Sequence, residues 1–153
     1  MNLFIPIFIL LALVMPVMAD SEALQEEFSE YLDFAYYSQG VISSDKFDSL
    51  SAADTFVVDV RNEKLFLEGH IKGAINIEWR KIIAQKDELP KDKMVVLYCD
   101  TGILSSRAQF ILHMIGFDNA KVLFGGYSYY TNHLADIEAD RVNKLEKGTV
   151  PPK

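Results

Sequence analysis

Short unbroken apolar runs alternate along the chain with stretches in which apolar residues recur at helical spacing. Residues 55–60 (TFVVDV), 94–98 (MVVLY) and 121–124 (KVLF) predict buried strands, rich in β-branched side chains and without the alternation of a half-exposed strand. Val41–Ile42 and residues 74–77 (AINI) predict two shorter ones. Residues 21–37 predict a helix, with Leu24, Phe28, Tyr31, Leu32 and Ala35 on one stripe, Ser21 as its cap and Glu22 at the positive end of its dipole. Ser43, Ser44 and Asp45 predict a capped helix running through Leu50, and residues 79–85 a short helix. Residues 105–115 (SSRAQFILHMI) predict an amphipathic helix stopped by Gly116, and residues 127–134 a last one. From Ala135 the chain turns polar and charged, which predicts a loosely attached tail over 135–153. Strands separated by helices predict an α/β fold, a central parallel sheet with helices on both faces. In such sheets chemistry collects where a strand ends at its carboxyl side and the next helix begins.

Residues 1–19 (MNLFIPIFILLALVMPVMA) carry no charged side chain. Val17 and Ala19 occupy the small-residue positions of a signal-peptidase site, which predicts a signal peptide cleaved before Asp20 and a periplasmic or secreted protein. An uncleaved anchor and a buried helix are the competing readings; about 17 apolar residues is the short end of a membrane span. The expected organisation is thus a signal peptide over 1–19, a helical segment over 20–39, one globular domain over 40–134 and the polar tail.

Charge and cysteine count narrow the chemistry. With 15 Lys and Arg against 22 Asp and Glu the net charge is −7, which argues against nucleic acid or an anionic membrane surface as partner. Cys99 is the single cysteine, so an internal disulfide, a CxxC redox pair and a thiolate-rich metal site are excluded. In an oxidising compartment a free thiol is a liability, and its surroundings decide whether it is inert or reactive.

Those surroundings are Cys99-Asp100-Thr101-Gly102-Ile103-Leu104, a loop between the strand ending at Tyr98 and the helix that follows. Backbone N–H groups in such a loop converge into an anion nest, and the helix dipole points at the same spot. Both favour a thiolate, a persulfide anion or a bound oxyanion, and Gly102 permits the positive φ of a tight loop. A phosphatase-type site needs arginine six residues after the cysteine; Ser105 stands there and Arg107 comes too late.

Four motifs stand in order along residues 40–134: Asp59-Val60-Arg61; residues 69–77 (GHIKGAINI); Cys99-x-x-Gly102 after an apolar strand; and Gly125-Gly126 followed by Tyr127. Together they resemble the rhodanese family. The resemblance implies a single rhodanese domain and a two-step sulfur transfer. Cys99 would attack the outer sulfur of a small donor, become a persulfide, and pass the sulfur to cyanide, a thiol or a protein thiol. The amides of residues 100–104 would cradle the anion. Asp100, Thr101, Gly102, Ile103, Leu104, Arg61 and Tyr127 are the candidate substrate-binding residues, and no metal or organic cofactor is implied. Family members active on thiosulfate commonly carry Arg or Lys at the second or sixth loop position, here Asp100 and Leu104. The Asp100 charge opposes a dianionic donor, so a persulfide donor fits better than thiosulfate. The competing reading is a binding module or persulfide carrier that uses the fold without turnover.

Plainer roles are expected elsewhere. Asp59 and Arg61 suit a structural ion pair as well as a site wall, and His70 suits a loop-fixing hydrogen bond. His113 and His133 lack ligand spacing, and Gly73, Gly125 and Gly126 suit turns. Tyr129, Tyr130 and Trp79 are expected to pack in or against the core, while Tyr127 suits core and pocket mouth equally.

Overall fold

The computed structural model describes residues 7–35 and 38–147, with side chains from residue 21 onward. The first six residues of the expected signal segment, Tyr36 and Tyr37 of the expected first helix, and residues 148–153 of the expected tail lie outside the described residues. The chain divides into two units, residues 1–39 and 40–153.

The first unit holds one helix, α1 (Ile7–Phe34). It passes through Ser21 without a break, so Ser21 does not cap it. Of the expected apolar stripe, Phe28, Tyr31 and Ala35 are half-buried, whereas Leu24 and Leu32 are exposed. Among the described residues no helix is long and apolar enough to cross a membrane.

The second unit is a five-stranded, all-parallel sheet in the order β1-β5-β4-β2-β3. The strands are β1 (Val41–Ile42), β2 (Thr55–Asp59), β3 (Ile75–Asn76), β4 (Met94–Tyr98) and β5 (Ala120–Leu123). The helices are α2 (Ser44–Asp48), α3 (Glu63–Glu68), α4 (Ile103–Met114) and α5 (Gly126–Glu146), with 3-10 turns at Trp79–Lys81 and Lys86–Glu88. Ser43 caps α2 by accepting from the Lys46 N–H, and Asn62 caps α3 in the same way from Leu65.

Period-two alternation along the strands feeds two cores. Val58, Val60, Val95, Leu97 and Cys99 face α4, where Ala108 and Leu112 meet them, and Phe117 just past the helix joins the cluster. Val96, Tyr98 and Val57 face the other way, against Tyr130 of α5 and Phe47 of α2. The central strands are buried on both faces, which is why they read as continuous apolar runs.

The last helix, expected over 127–134, is longer: α5 continues to Glu146 through the first part of the polar segment. Ion pairs one turn apart support the extension, Glu138 with Arg141 at 3.2 Å and Asp140 with Lys144 at 2.5 Å. The expected helix over 79–85 is shorter, a 3-10 turn at Trp79–Lys81, and α4 starts two residues earlier than its apolar pattern suggests. Tyr130 is buried as expected, but Tyr129 is 51% exposed and lies edge-on to the equally exposed Phe124.

Candidate active site

Parallel pairing of β2 with β4 sets Asp59 opposite Tyr98, so the carboxyl ends of the two central strands lie side by side. The Val60 N–H donates to the Tyr98 carbonyl at 2.9 Å and extends that pairing by one residue. Cys99 follows β4 directly, and Arg61 stands two residues past the end of β2, beside Asp100.

Cys99 is 2% exposed. Its Sγ accepts a hydrogen bond from the Gly102 N–H at 3.2 Å, and the Ser105 hydroxyl lies 3.7 Å away. Gly102 has φ 96° and precedes the first residue of α4, a left-handed turn that swings its N–H back onto the sulfur. Ser105, fully buried in the first turn of α4, also lies 3.1 Å from the Gly102 carbonyl. Its single proton therefore serves either the carbonyl or the sulfur. Ser105 was absent from the expected site; its place in the first turn of α4, six residues after Cys99, was the available signal.

The loop is held from below by α5. The Tyr127 N–H donates to the Cys99 carbonyl at 2.7 Å and the Ser128 N–H to that of Asp100 at 3.1 Å. Such contact leaves no room for a side chain at Gly126: a Cβ there would overlap the Cys99 carbonyl oxygen and lie 2.8 Å from the Asp100 carbonyl group.

Arg61 is the hub beside the loop, and it is 4% exposed. Its Nη2 donates to Asp59 Oδ2 and to the Gly69 carbonyl, both at 2.6 Å, and its Nε to both Asp59 oxygens at 3.0 Å. Its Nη1 donates to Asp100 Oδ1 at 3.0 Å, and the guanidinium lies 4.4 Å from the centre of the Tyr127 ring. Burial alone would favour the neutral guanidine, but the hydrogen bonds and charges of Asp59 and Asp100 outweigh it and hold Arg61 above its ordinary pKa. Arg61, a candidate substrate-binding residue, gives hydrogen bonds from Nε, Nη1 and Nη2 to groups of the protein itself. Asp100, expected to leave a negative charge beside the sulfur, has that charge met by Arg61.

Among the other candidate residues, Thr101 and Ile103 are exposed at the surface of the loop, Ile103 to 62%. Leu104 is half-buried and packs against the core beneath α4. Tyr127 is half-buried and stacks on Tyr98 with ring centres 6.0 Å apart. In the motif at residues 69–77, Asn76 Nδ2 donates to the carbonyls of Asp59 and Arg61 at 2.9 and 2.8 Å, so it fastens the strand end that carries Arg61. His70 Nδ1 lies 2.9 Å from the Phe66 carbonyl and its ring stacks on Phe66 at 4.0 Å, a loop-fixing role. Among the described residues no group of three or more His, Cys, Asp or Glu side chains is placed to hold a metal ion.

The model of the rhodanese-like domain matches residues 43–133, and the chain belongs to that family. The thiosulfate sulfurtransferase GlpE of Coxiella burnetii is 30% identical over 89 residues, covering 58% of this chain and 82% of its own. The tRNA uridine(34) hydroxylase of Onion yellows phytoplasma is 32% identical over 91 residues, covering 56% of this chain and 30% of its own. Among solved structures, reduced CoADR-RHD from Bacillus anthracis superposes with a TM-score of 0.58 at 26% identity, covering 63% of this chain and 17% of that one. The chain spans about half the length, or less, of several curated relatives it matches.

Proposed function

We propose that this protein is a sulfurtransferase that carries a sulfane sulfur on Cys99. The carrying observation is the sulfur's position: at the carboxyl end of β4, with the Gly102 N–H at 3.2 Å and the Ser105 hydroxyl at 3.7 Å. Both are donors, suited to an anionic sulfur. In the first step the Cys99 thiolate attacks the outer sulfur of a persulfide, RS–SH. The new Sγ–S bond forms as the donor's S–S bond breaks, and RS⁻ leaves with the electron pair. In the second step cyanide or a thiolate attacks the outer sulfur of the Cys99 persulfide, forming thiocyanate or a new persulfide and returning Cys99 to its starting state.

A persulfide donor suits this loop better than thiosulfate. Residues 100–104 bring no cation, and the nearby guanidinium of Arg61 is already held by Asp59 and Asp100. Thiosulfate carries two negative charges that would find no partner there.

Incubating the purified chain with glutathione persulfide or thiosulfate, followed by intact mass, tests the reading. One added sulfur on the wild type, none on Cys99→Ala, and its removal by cyanide are the expected results. No added sulfur from either donor would overturn the reading in favour of a binding module. From the composition of residues 1–19 we also infer export; amino-terminal sequencing of the protein from its native host would then begin at Asp20.

A further inference from the structure

On the sheet face opposite the Cys99 sulfur, a half-open cavity of about 520 Å³ lies between α5, α2 and the loop at residues 70–73. That volume lies within the range of small-molecule sites, roughly 300–1,000 Å³. Phe47, Leu50, Val57, Ile71, Tyr130 and Leu134 supply apolar walls. Cys99 is not part of the lining, and its side chain belongs to the other core.

The polar groups of the lining are unequal. The Tyr130 hydroxyl donates to Asp48 at 2.6 Å, and Thr131 Oγ1 donates to the Tyr127 carbonyl at 3.0 Å. With its Nδ1–H given to Phe66, a neutral His70 presents only an acceptor at Nε2. Thr55 Oγ1 donates to the Ser51 carbonyl at 2.9 Å, and Lys72 is the lysine or arginine of the lining, exposed and in no ion pair among the described residues. The lining contains no Asp or Glu, in a chain whose net charge is −7. An apolar chamber with one cation at its rim selects an apolar body with a single anionic head.

We propose that this cavity is a second binding site, for an amphipathic organic anion bearing a carboxylate or sulfonate. It is separate from the reactive loop and stands whether or not Cys99 carries sulfur. The two sites meet at Tyr127, whose side chain lines the cavity while its N–H holds the Cys99 carbonyl.

Titration of the full chain with anilinonaphthalene sulfonate, followed by fluorescence, tests the site. Saturable binding of one probe per chain, displaced by decanoate, is the expected result. Lys72→Glu should weaken it about tenfold or more, because an attractive charge becomes a repulsive one. Leu134→Trp should abolish it by filling the chamber; Leu134 is 43% exposed, so the fold tolerates the change. Circular dichroism melting verifies that both variants are folded. Cys99→Ala should bind as the wild type does. The proposal fails if binding does not saturate, if either cavity variant keeps wild-type affinity, or if Cys99→Ala loses binding, which would put the probe at the reactive loop.

Discussion

Arg61 and Asp100 stand 39 residues apart in sequence, yet Nη1 of one lies 3.0 Å from Oδ1 of the other. The pair ties the end of β2 to the first loop residue after Cys99. Its two members are not equally placed. Arg61 is buried and also neutralises Asp59, which is fully buried, whereas the Asp100 side chain is 46% exposed. Arg61→Ala would strand the Asp59 charge in the core and should cost about 3–5 kcal/mol. Asp100→Asn leaves Arg61 its other partners and should cost no more than about 1 kcal/mol, the scale of an exposed pair. Urea denaturation of the two variants checks the contrast; equal losses would mean that the loop-side contact dominates.

The seat of the loop on α5 predicts a second contrast. Gly126 has φ 65°, and a Cβ there would overlap the Cys99 carbonyl oxygen. Gly116 has φ 84°, but nothing lies within 4 Å of its would-be Cβ. Gly116→Ala should therefore cost about 1 kcal/mol, the penalty of a left-handed backbone alone. Gly126→Ala should cost at least twice that, about 2 kcal/mol or more, since the loop backbone must also move. Denaturation midpoints compared at equal slope read both values.

What the residue pattern disclosed, and what it concealed, follows from how local each signal is. Met94–Tyr98 was legible to the residue because five apolar side chains in a row, buried on both faces, are the direct imprint of a central parallel strand. The reactive loop was legible because Gly102 and the following helix lie within a few residues of Cys99. The far part of α5 was not. Leu134, Ile137 and Val142 are all more than 40% exposed, so the helix has no buried stripe there and stands on local ion pairs. α3 has six residues, too few for a period, and the residue pattern did not disclose it. Arg61 was recognisable as a partner of Asp59, two residues away. Its grip on Asp100 depends on two strands being neighbours in the sheet, and no spacing along the chain encodes that.

Ser105 makes a kinetic prediction. Its hydroxyl proton can turn between the Gly102 carbonyl at 3.1 Å and Sγ at 3.7 Å. As negative charge gathers on the cysteine sulfur, or on a sulfur bonded to it, the proton favours the anion. Hydrogen bonds to charged groups contribute about 1.5–3 kcal/mol, so Ser105→Ala should slow single-turnover sulfur loading by about tenfold or more. Stability should fall by only about 1 kcal/mol, the usual value of a neutral hydrogen bond. Time-resolved intact mass measures the loading; an unchanged rate would make Ser105 a packing residue.

Two buried tyrosines should make the fold lose stability at alkaline pH. Burial raises the Tyr98 hydroxyl above its ordinary value of 10.0; the Ile71 N–H works against this, and the Asp59 charge adds to it. Burial also raises Tyr130, helped by its hydrogen bond to Asp48. A raised folded pKa means stability that is fully present below about pH 10 and lost as the pH climbs toward the folded value. Above pH 10 each such tyrosine should steepen the loss by up to about 1.4 kcal/mol per pH unit. Tyr130→Phe gives up the bond to Asp48, costing about 1 kcal/mol at neutral pH, but removes one ionisation. The variant should lose ground to the wild type at pH 7 and recover it in more alkaline buffer. Urea midpoints taken across that range read the crossing, and parallel curves would mean that Tyr130 ionises normally in the folded chain.

Donor choice is a matter of charge, and it can be altered from the surface. Ile103 is 62% exposed at the start of α4, so a lysine there adds a cation beside the loop without disturbing the core. At a distance of about 8 Å in water, one positive charge attracts a dianion by roughly 1 kcal/mol. Ile103→Lys should therefore raise kcat/KM for thiosulfate about fivefold at low ionic strength. A less charged persulfide should gain less. The thiosulfate advantage should shrink as salt is added, because the screening length falls to about 8 Å near physiological ionic strength. A gain that ignores salt would point to a reshaped loop. No gain at all would mean that the Arg61–Asp100 pair, and not the missing cation, governs which donor the cysteine accepts.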